Sequence, residues 1–336
     1  MKQRYLFAKA IAMVTTIFAI LYSRQVILSA SKATDLCIKS VIPSLLPLMI
    51  LTSILSESFT QNPSHQKSQR KIRIFPRFFL LGLLSGYPTG ALHVNRAVVK
   101  QEITKEQGNK LLMVCSNAGP AFVFGIGSTL FDRPIIPLII WIIHILSALI
   151  LSIFISIPKD TAKAQARTAM TLSQILERCV KNMATICCWI ILFYILTDII
   201  GSYATQSPIK EIIPPVLGIT EISKGSLMLT HYQSLPAKIL LFCTYINFGG
   251  LCVAMQTYTV SKSLHFSNYL TGKLLQTVIG IILMIPILPW LTGLIIPPVI
   301  DIVCLLMIPI LISGWKLKKT VAFTSRIPYN RNTQKG

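Results

Sequence analysis

The charged residues of this chain are spaced so that long apolar runs lie between them. Between Lys110 and Asp132 there are 21 consecutive uncharged residues, and between Arg133 and Lys159 there are 25. Lys238 and Lys262 enclose 23, and Lys273 and Asp301 enclose 27. A helix needs about 20 apolar residues to cross the hydrocarbon, so each run is long enough. Lipid offers no partner for backbone N–H and C=O groups, which leaves the self-satisfied helix as the form these runs take. The pattern predicts spans over 7–28, 36–56, 111–131, 135–157, 178–201, 239–260, 271–289 and 293–314. That is an all-α polytopic membrane protein of about eight transmembrane helices.

Two further apolar stretches are interrupted. Phe78 to Val99 is cut by Gly86-Tyr87-Pro88-Thr89-Gly90, where Pro88 and Gly90 favour backbone turns that bulky residues resist. Ile212 to Tyr232 contains Pro214-Pro215, Gly218, Glu221, Lys224 and Gly225. Each reads as a re-entrant hairpin that dips into the membrane and returns to the same side.

Charge placement tests that topology. With a cytoplasmic N-terminus, eight crossings and two re-entrant hairpins, 25 of the 32 Lys and Arg residues fall on the cytoplasmic side. They lie in the N-terminus, 67–77, 96–110, 159–181, Lys262, Lys273 and the tail 316–335. Arg24, Lys32, Lys39, Arg133, Lys210, Lys224 and Lys238 fall outside. This is the bias of the positive-inside rule, and making one hairpin a full crossing would spoil it. Both termini are therefore expected in the cytoplasm, and the membrane is read as a bacterial inner membrane.

The same order of elements occurs twice. Span 36–56, broken hairpin, span 111–131 and span 135–157 are followed by span 178–201, broken hairpin, span 239–260 and span 271–289. Lys110-Leu111-Leu112 with Cys115 recurs as Lys238-Ile239-Leu240 with Cys243, and both spans then break at Asn-x-Gly. The breaks read Asn117-Ala118-Gly119-Pro120 and Asn247-Phe248-Gly249-Gly250. Three crossings per unit invert the second copy relative to the first, the arrangement of many secondary transporters. The resulting units are an N-terminal helix (1–35), a first repeat (36–158), a cytoplasmic linker (159–177), a second repeat (178–290), and a C-terminal helix with a basic tail (291–336).

Composition refines this picture. Hydrophobic residues make up 53% of the chain and charged residues 13%, with a formal charge of +21 and a mean hydropathy of +0.65. The excess charge is accounted for by cytoplasmic loops, and no aromatic–basic interleaving points to nucleic acid. The N-terminal Lys2, Arg4 and Lys9 before an apolar run resemble a signal peptide, but the segment reads as an uncleaved helix. Eight cysteines without a C-x-x-C pair read as small buried hydrophobes, neither disulfides nor metal ligands.

Candidate chemistry gathers at the four breaks. Gly86, Pro88 and Gly90 in one hairpin, Gly218 and Gly225 in the other, and Gly119, Pro120, Gly249 and Gly250 in the broken spans leave backbone groups unpaired. Such groups persist where protein, water or a ligand pairs them; the plainer alternative is a set of packing kinks. Thr89, Asn117, Thr220, Glu221, Ser223 and Asn247 are the candidate solute-binding side chains. A carboxylate at membrane depth is costly and usually faces a polar interior. Glu221 would hold a coupling cation such as Na+, accept a coupling proton or bind the solute, facing Asn117 and Asn247. The alternative is an ion pair with Lys224 one turn on. Asp198 and Asp301 read as capping or packing residues, and His93, His144 and His231 share no metal-binding spacing. No nucleophile elbow, P-loop or H-E-x-x-H occurs, so no enzyme and no cofactor is expected.

The stretches Ser85 to Ala91, Cys115 to Pro120 with Phe124-Gly125, and Gly218 to Gly225 resemble the YlbJ/SpoVV sporulation integral membrane proteins. That family belongs to the nucleoside-recognition or "Gate" superfamily, similar in architecture to concentrative nucleoside transporters. The resemblance covers about residues 36–290. It implies two inverted repeats meeting at a central site and, for the best-known branch, movement of dipicolinic acid across a forespore membrane. The expected function is transport of a small polar or anionic solute. The alternative is a non-transporting gate or sensor that recognises a nucleoside-like ligand. The partners expected are that solute and the bilayer, with a homo-oligomer left open.

Overall fold

The computed structural model describes residues 13, 16, 17, 20–58, 74–158, 170–204 and 213–293. The expected spans 7–28 (for its first part) and 293–314, the basic tail, Asp301 and Cys304 lie outside the described residues. Among the described residues there is no strand, and the chain is an all-α membrane protein. Among the described residues, five helices are long and apolar enough to cross a bilayer.

In chain order, α1 (Ser23–Leu36) passes through a π-turn (Cys37–Val41) into α2 (Ile42–Ser58). Next come α3 (Ile74–Ser85), α4 (Thr89–Val99), α5 (Lys105–Leu112), α6 (Pro120–Leu130) and α7 (Ile135–Phe154). The rest are α8 (Leu172–Ala204), α9 (Ile213–Thr220), α10 (Ile222–Met228), α11 (Leu235–Phe248), α12 (Gly250–Val260), α13 (Phe266–Met284) and α14 (Leu288–Thr292).

Helix α7 shows why these segments need lipid. Its inward face, with Ile136, Ile140, Ile143, His144, Ser147 and Leu151, is buried. Leu138, Ile142, Leu146 and Ile153, on the other face, are large apolar side chains left exposed. A helix apolar all round is stable only with an apolar medium on its outer side.

Three element boundaries differ from the sequence expectation. No loop separates residues 28 and 36, because α1, the π-turn and α2 form one helix from Ser23 to Ser58. The charges that suggested a loop sit on its outer face, where Lys39 pairs with Asp35 at 3.7 Å. Helix α8 begins six residues before the expected 178, since Glu177 and Lys181 pair at 2.6 Å on an exposed face and need no interface to solvate them. Helix α13 begins at Phe266, five residues before the expected 271, because Lys273 lies inside it.

The two hairpins are short. Helices α3 and α4 have 12 and 11 residues, about 18 and 16 Å, each roughly half the 30 Å hydrocarbon thickness. They pack on one another, and both outer ends meet α2. Arg77 lies 3.2 Å from Glu102 and donates to the Ser56 carbonyl, while Lys100 holds the buried Glu57 at 2.6 Å. Helices α9 and α10, of 8 and 7 residues, form a second, shorter hairpin. Matching contacts recur in the two halves: α2 on α3 and α8 on α9, α4 on α12 and α10 on α6, α5 on α13 and α11 on α7. Helix α2 meets α8, and α7 meets α13, across the middle of the bundle.

Candidate functional site

Backbone rather than side chains brings the first hairpin to the first broken span. After α5 the chain leaves the helix at Met113 and resumes it only at Pro120, whose fixed φ suits the first position of α6. Within this stretch the Cys115 carbonyl rests between Gly82 and Gly90, so that a Cβ on either would overlap it. At the hairpin tip Gly86 adopts φ +73, a conformation glycine reaches without strain. A Cβ there would stand 3.1 Å from Gly119 N. The hairpin tip and the unwound segment are therefore in backbone contact.

The second half repeats the arrangement with a smaller break. Helix α11 ends at Gly249, whose φ of +85 is left-handed, and α12 starts at the next residue. Without a proline the helix resumes at once, whereas the first break extends over 113–119. A Cβ on Gly250 would lie 3.3 Å from the Ile219 carbonyl and 3.5 Å from Ile222 N, so this break touches the second hairpin tip. Gly218 and Gly225 bring α9 and α10 together, and a Cβ on Gly225 would overlap the Gly218 backbone.

Between the tips lies a small cleft with a cavity volume of about 40 Å³. Gly86 and Tyr87 come from the first tip, Gly119 from the first break, and Glu221, Ile222 and Ser223 from the second tip. Val253 and Gln256 line it from just beyond the second break. Its walls are otherwise apolar, supplied by Val41, Leu45, Ile186 and Ile190 of the long helices. An apolar lining with a few convergent polar groups is typical of a small-molecule site, and in this conformation the cleft has room for only a few waters.

Glu221 is the one carboxylate among the residues lining that cleft, and it is 1% exposed. It caps α10, its Oε2 accepting the Lys224 N–H at 2.6 Å, so local backbone donors carry part of its charge. The Lys224 ammonium points elsewhere: it pairs with Asp198 on α8 and lies 4.6 Å from the centroid of the Tyr194 ring. Ser29 of α1 donates to the same Asp198 carboxylate. The ion pair thus ties the second hairpin to α8 and leaves Glu221 free of it. Asp198→Asn is expected to lower thermal stability in detergent by about 1–3 kcal/mol, less than for a fully buried pair. Asp198→Asn/Lys224→Met should recover most of the loss. Equal destabilisation by the single and double variants would show that the pair is not what holds the hairpin.

Asn117 and Asn247 do not line the cleft. They belong to a buried polar network between α7, α11, α13 and the first break. The Ala118 N–H donates to His144 Nε2 at 2.9 Å, which fixes the imidazole proton on Nδ1, 3.2 Å from Asn247 Oδ1. Ser147 Oγ lies 2.9 Å from the same oxygen. Gln276 Nε2 donates to Asn117 Oδ1 and to the His144 carbonyl, each at 3.2 Å. Lys273 Nζ donates to Gln276 Oε1 at 2.8 Å. His144, which shares no metal-binding spacing with the other histidines, is the buried junction of this network. Lys273, assigned to the cytoplasmic charge by its position, is buried at 1% exposure.

The remaining candidates divide. Ser223 lines the cleft, whereas Thr220 turns its hydroxyl to its own Leu217 carbonyl and Thr89 is buried in the first turn of α4. Pro88 precedes α4, joined to Tyr87 by a cis peptide bond, and Gly90 lies inside α4 as a point of close approach, not at the turn. His93 bonds Thr52 at 3.3 Å. Among the described residues no three His, Cys, Asp or Glu side chains are placed to hold a metal ion. No family model, no curated protein and no solved structure matches this chain.

Proposed function

We propose that this chain is an inverted-repeat membrane transporter that moves a small polar or anionic solute through the cleft between its two hairpin tips. The observation that carries this reading is the composition of the cleft. Both hairpin tips, the first break and the start of the helix after the second break supply its lining, two elements from each half of the chain. The matching contacts of the two halves support reading them as repeats. The half-thickness hairpin α3–α4, with both ends at α2, supports re-entry. Broken helices gathered at a repeat interface are where secondary transporters bind solute. Glu221, Ser223 and Gln256 supply polar contacts, and the two backbone turns supply positions for close approach.

The sporulation-protein resemblance makes dipicolinate the first solute to test, with nucleosides second. Reconstituted into proteoliposomes, the full chain should move one of them down or against a gradient. Saturable binding without flux would favour the sensor reading instead. The membrane assigned is the bacterial inner membrane, or the forespore membrane derived from it.

The proposed topology of two re-entrant hairpins and cytoplasmic termini rests on the charge partition, 24 cytoplasmic to seven external once the buried Lys273 is set aside. Single cysteines introduced at Gln66 and Ala164, both outside the described residues, should be shielded from impermeant reagents added to whole cells. Labelling of either from outside would break the topology.

A further inference from the structure

We propose that His144 is a positioning residue for solute binding, its two ring nitrogens holding the two chain breaks in register across the repeat interface. The proposal rests on reading the cleft as the transport site. Helix α7 supplies no residue to the cleft lining, yet His144, at its middle, touches three of the segments that build the cleft. The Ala118 N–H donates to Nε2 at 2.9 Å. Nδ1–H donates to Asn247 Oδ1 at 3.2 Å, two residues before the left-handed Gly249. The Tyr87 ring of the first tip meets the imidazole edge-on, with ring centroids 6.5 Å apart. Ala118 immediately precedes Gly119, and Gly119 and Tyr87 both line the cleft.

Each bond lacks a ready substitute. Among the described residues no backbone carbonyl accepts the Ala118 N–H, so the imidazole satisfies a buried donor that the unwound chain leaves over. The Asn247 amide is held in one orientation, because its Nδ2 donates to the Cys243 carbonyl at 2.9 Å. Helix α13 packs on that nitrogen, and a Cβ on Gly280 would stand 2.5 Å from it. The amide oxygen therefore faces His144. Ser147 divides its one proton between that oxygen and the His144 carbonyl, each at 2.9 Å, which leaves Nδ1–H as the undivided donor. His144, Ala118 and Asn247 are all fully buried, so water offers neither break an alternative partner. A rigid ring has no freedom between its two nitrogens. A shift of the first break must either rupture one bond or carry the second break with it.

Two variants separate the bonds. His144→Asn offers an N–H in the place of Nδ1 and nothing at Nε2, whereas His144→Gln offers a carbonyl oxygen near Nε2 and nothing at Nδ1. Hydrogen exchange of the full chain in detergent, read over residues 113–119, is independent of which solute is moved. The Ala118 amide should exchange about tenfold faster or more in His144→Asn and stay near wild type in His144→Gln. In proteoliposomes His144→Asn should raise the KM for dipicolinate or a nucleoside about tenfold, with kcat within about twofold. His144→Gln should recover most of that KM. A merely structural role would instead reduce the amount of active protein, and so kcat, in both variants and leave KM alone. If His144→Asn does not fold, His144→Gln decides: it keeps the acceptor, so loss of Ala118 protection in it overturns the proposal. With no flux from the wild type, the transport reading fails, and the exchange result alone upholds or overturns the tie between the breaks. Unchanged Ala118 exchange in His144→Asn, or one KM shared by the wild type and both variants, overturns the proposal.

Discussion

Glu221→Gln is expected to cut solute uptake about tenfold or more while leaving a folded protein. The expectation follows from what Glu221 does and does not hold. Its Oε2 accepts the Lys224 N–H at 2.6 Å, and the amide oxygen of glutamine can accept the same bond. The Lys224 ammonium is engaged by Asp198, so no ion pair is lost. What disappears is the negative charge in a cleft otherwise lined mostly by apolar groups. A hydrogen bond to a charged group contributes about 1.5–3 kcal/mol against 0.5–1.5 for a neutral one. The difference of roughly 1.4 kcal/mol is a factor of ten in affinity for a cation or a solute donor. Glu221→Ala should differ in kind, losing the cap as well and about 1 kcal/mol of stability. Uptake and melting of the two variants therefore separate the roles. Wild-type uptake by Glu221→Gln in proteoliposomes would remove the carboxylate from the transport site.

The tenfold effect assigned to Glu221 belongs to a residue that stood out in the sequence, and the reason is instructive. An acidic residue between glycines in an apolar stretch is costly in any location except a polar interior, so the local string carries the signal. The hairpin tips and breaks were legible for the same reason. Gly86, Gly119, Gly249 and Gly250 interrupt runs that lipid requires to be helical, and the structure bends or unwinds the chain at each. Period and charge spacing likewise gave the core of every long described helix.

Lys273 and His144 were not legible, and the cause is physical. Reading spans from charge gaps assumes that each charge marks an interface. A lysine inside a span violates that assumption, so it both hid itself and shortened α13 at its start. His144 draws its role from Asn247, 103 positions away, and from the Ala118 N–H, 26 away. Nothing near it in sequence announces those partners. The pairing of Lys224 with Asp198 escaped similarly: Glu221 is the nearer carboxylate along the chain, but its lone pairs are already turned toward the backbone of α10. Local spacing favoured the wrong acid because the right one comes from another helix.

Gly90→Ala should destabilise the protein, and Gly125→Ala should not. Both glycines lie inside apolar helices, and intrinsic propensity favours alanine at each by about 0.8–1 kcal/mol. At Gly125 nothing lies within 4 Å of the added carbon, so the substitution is expected to stabilise by roughly 0.4–1 kcal/mol. At Gly90 the added carbon would overlap the Cys115 carbonyl and stand 2.9 Å from Gly82 Cα. These are backbone atoms, so no side-chain rotation relieves the clash, and the hairpin or the unwound segment must move. Overpacking of this kind costs about 1–3 kcal/mol and occasionally more, which outweighs the propensity gain. The shift would also separate Gly86 from Gly119, 3.1 Å from its Cβ position, and reshape the cleft floor. Gly90→Ala should therefore melt earlier than wild type in detergent and transport less when reconstituted, with Gly125→Ala above wild type in stability. If Gly90→Ala matches Gly125→Ala in both measurements, the close backbone approach of hairpin and unwound segment is not what builds the site.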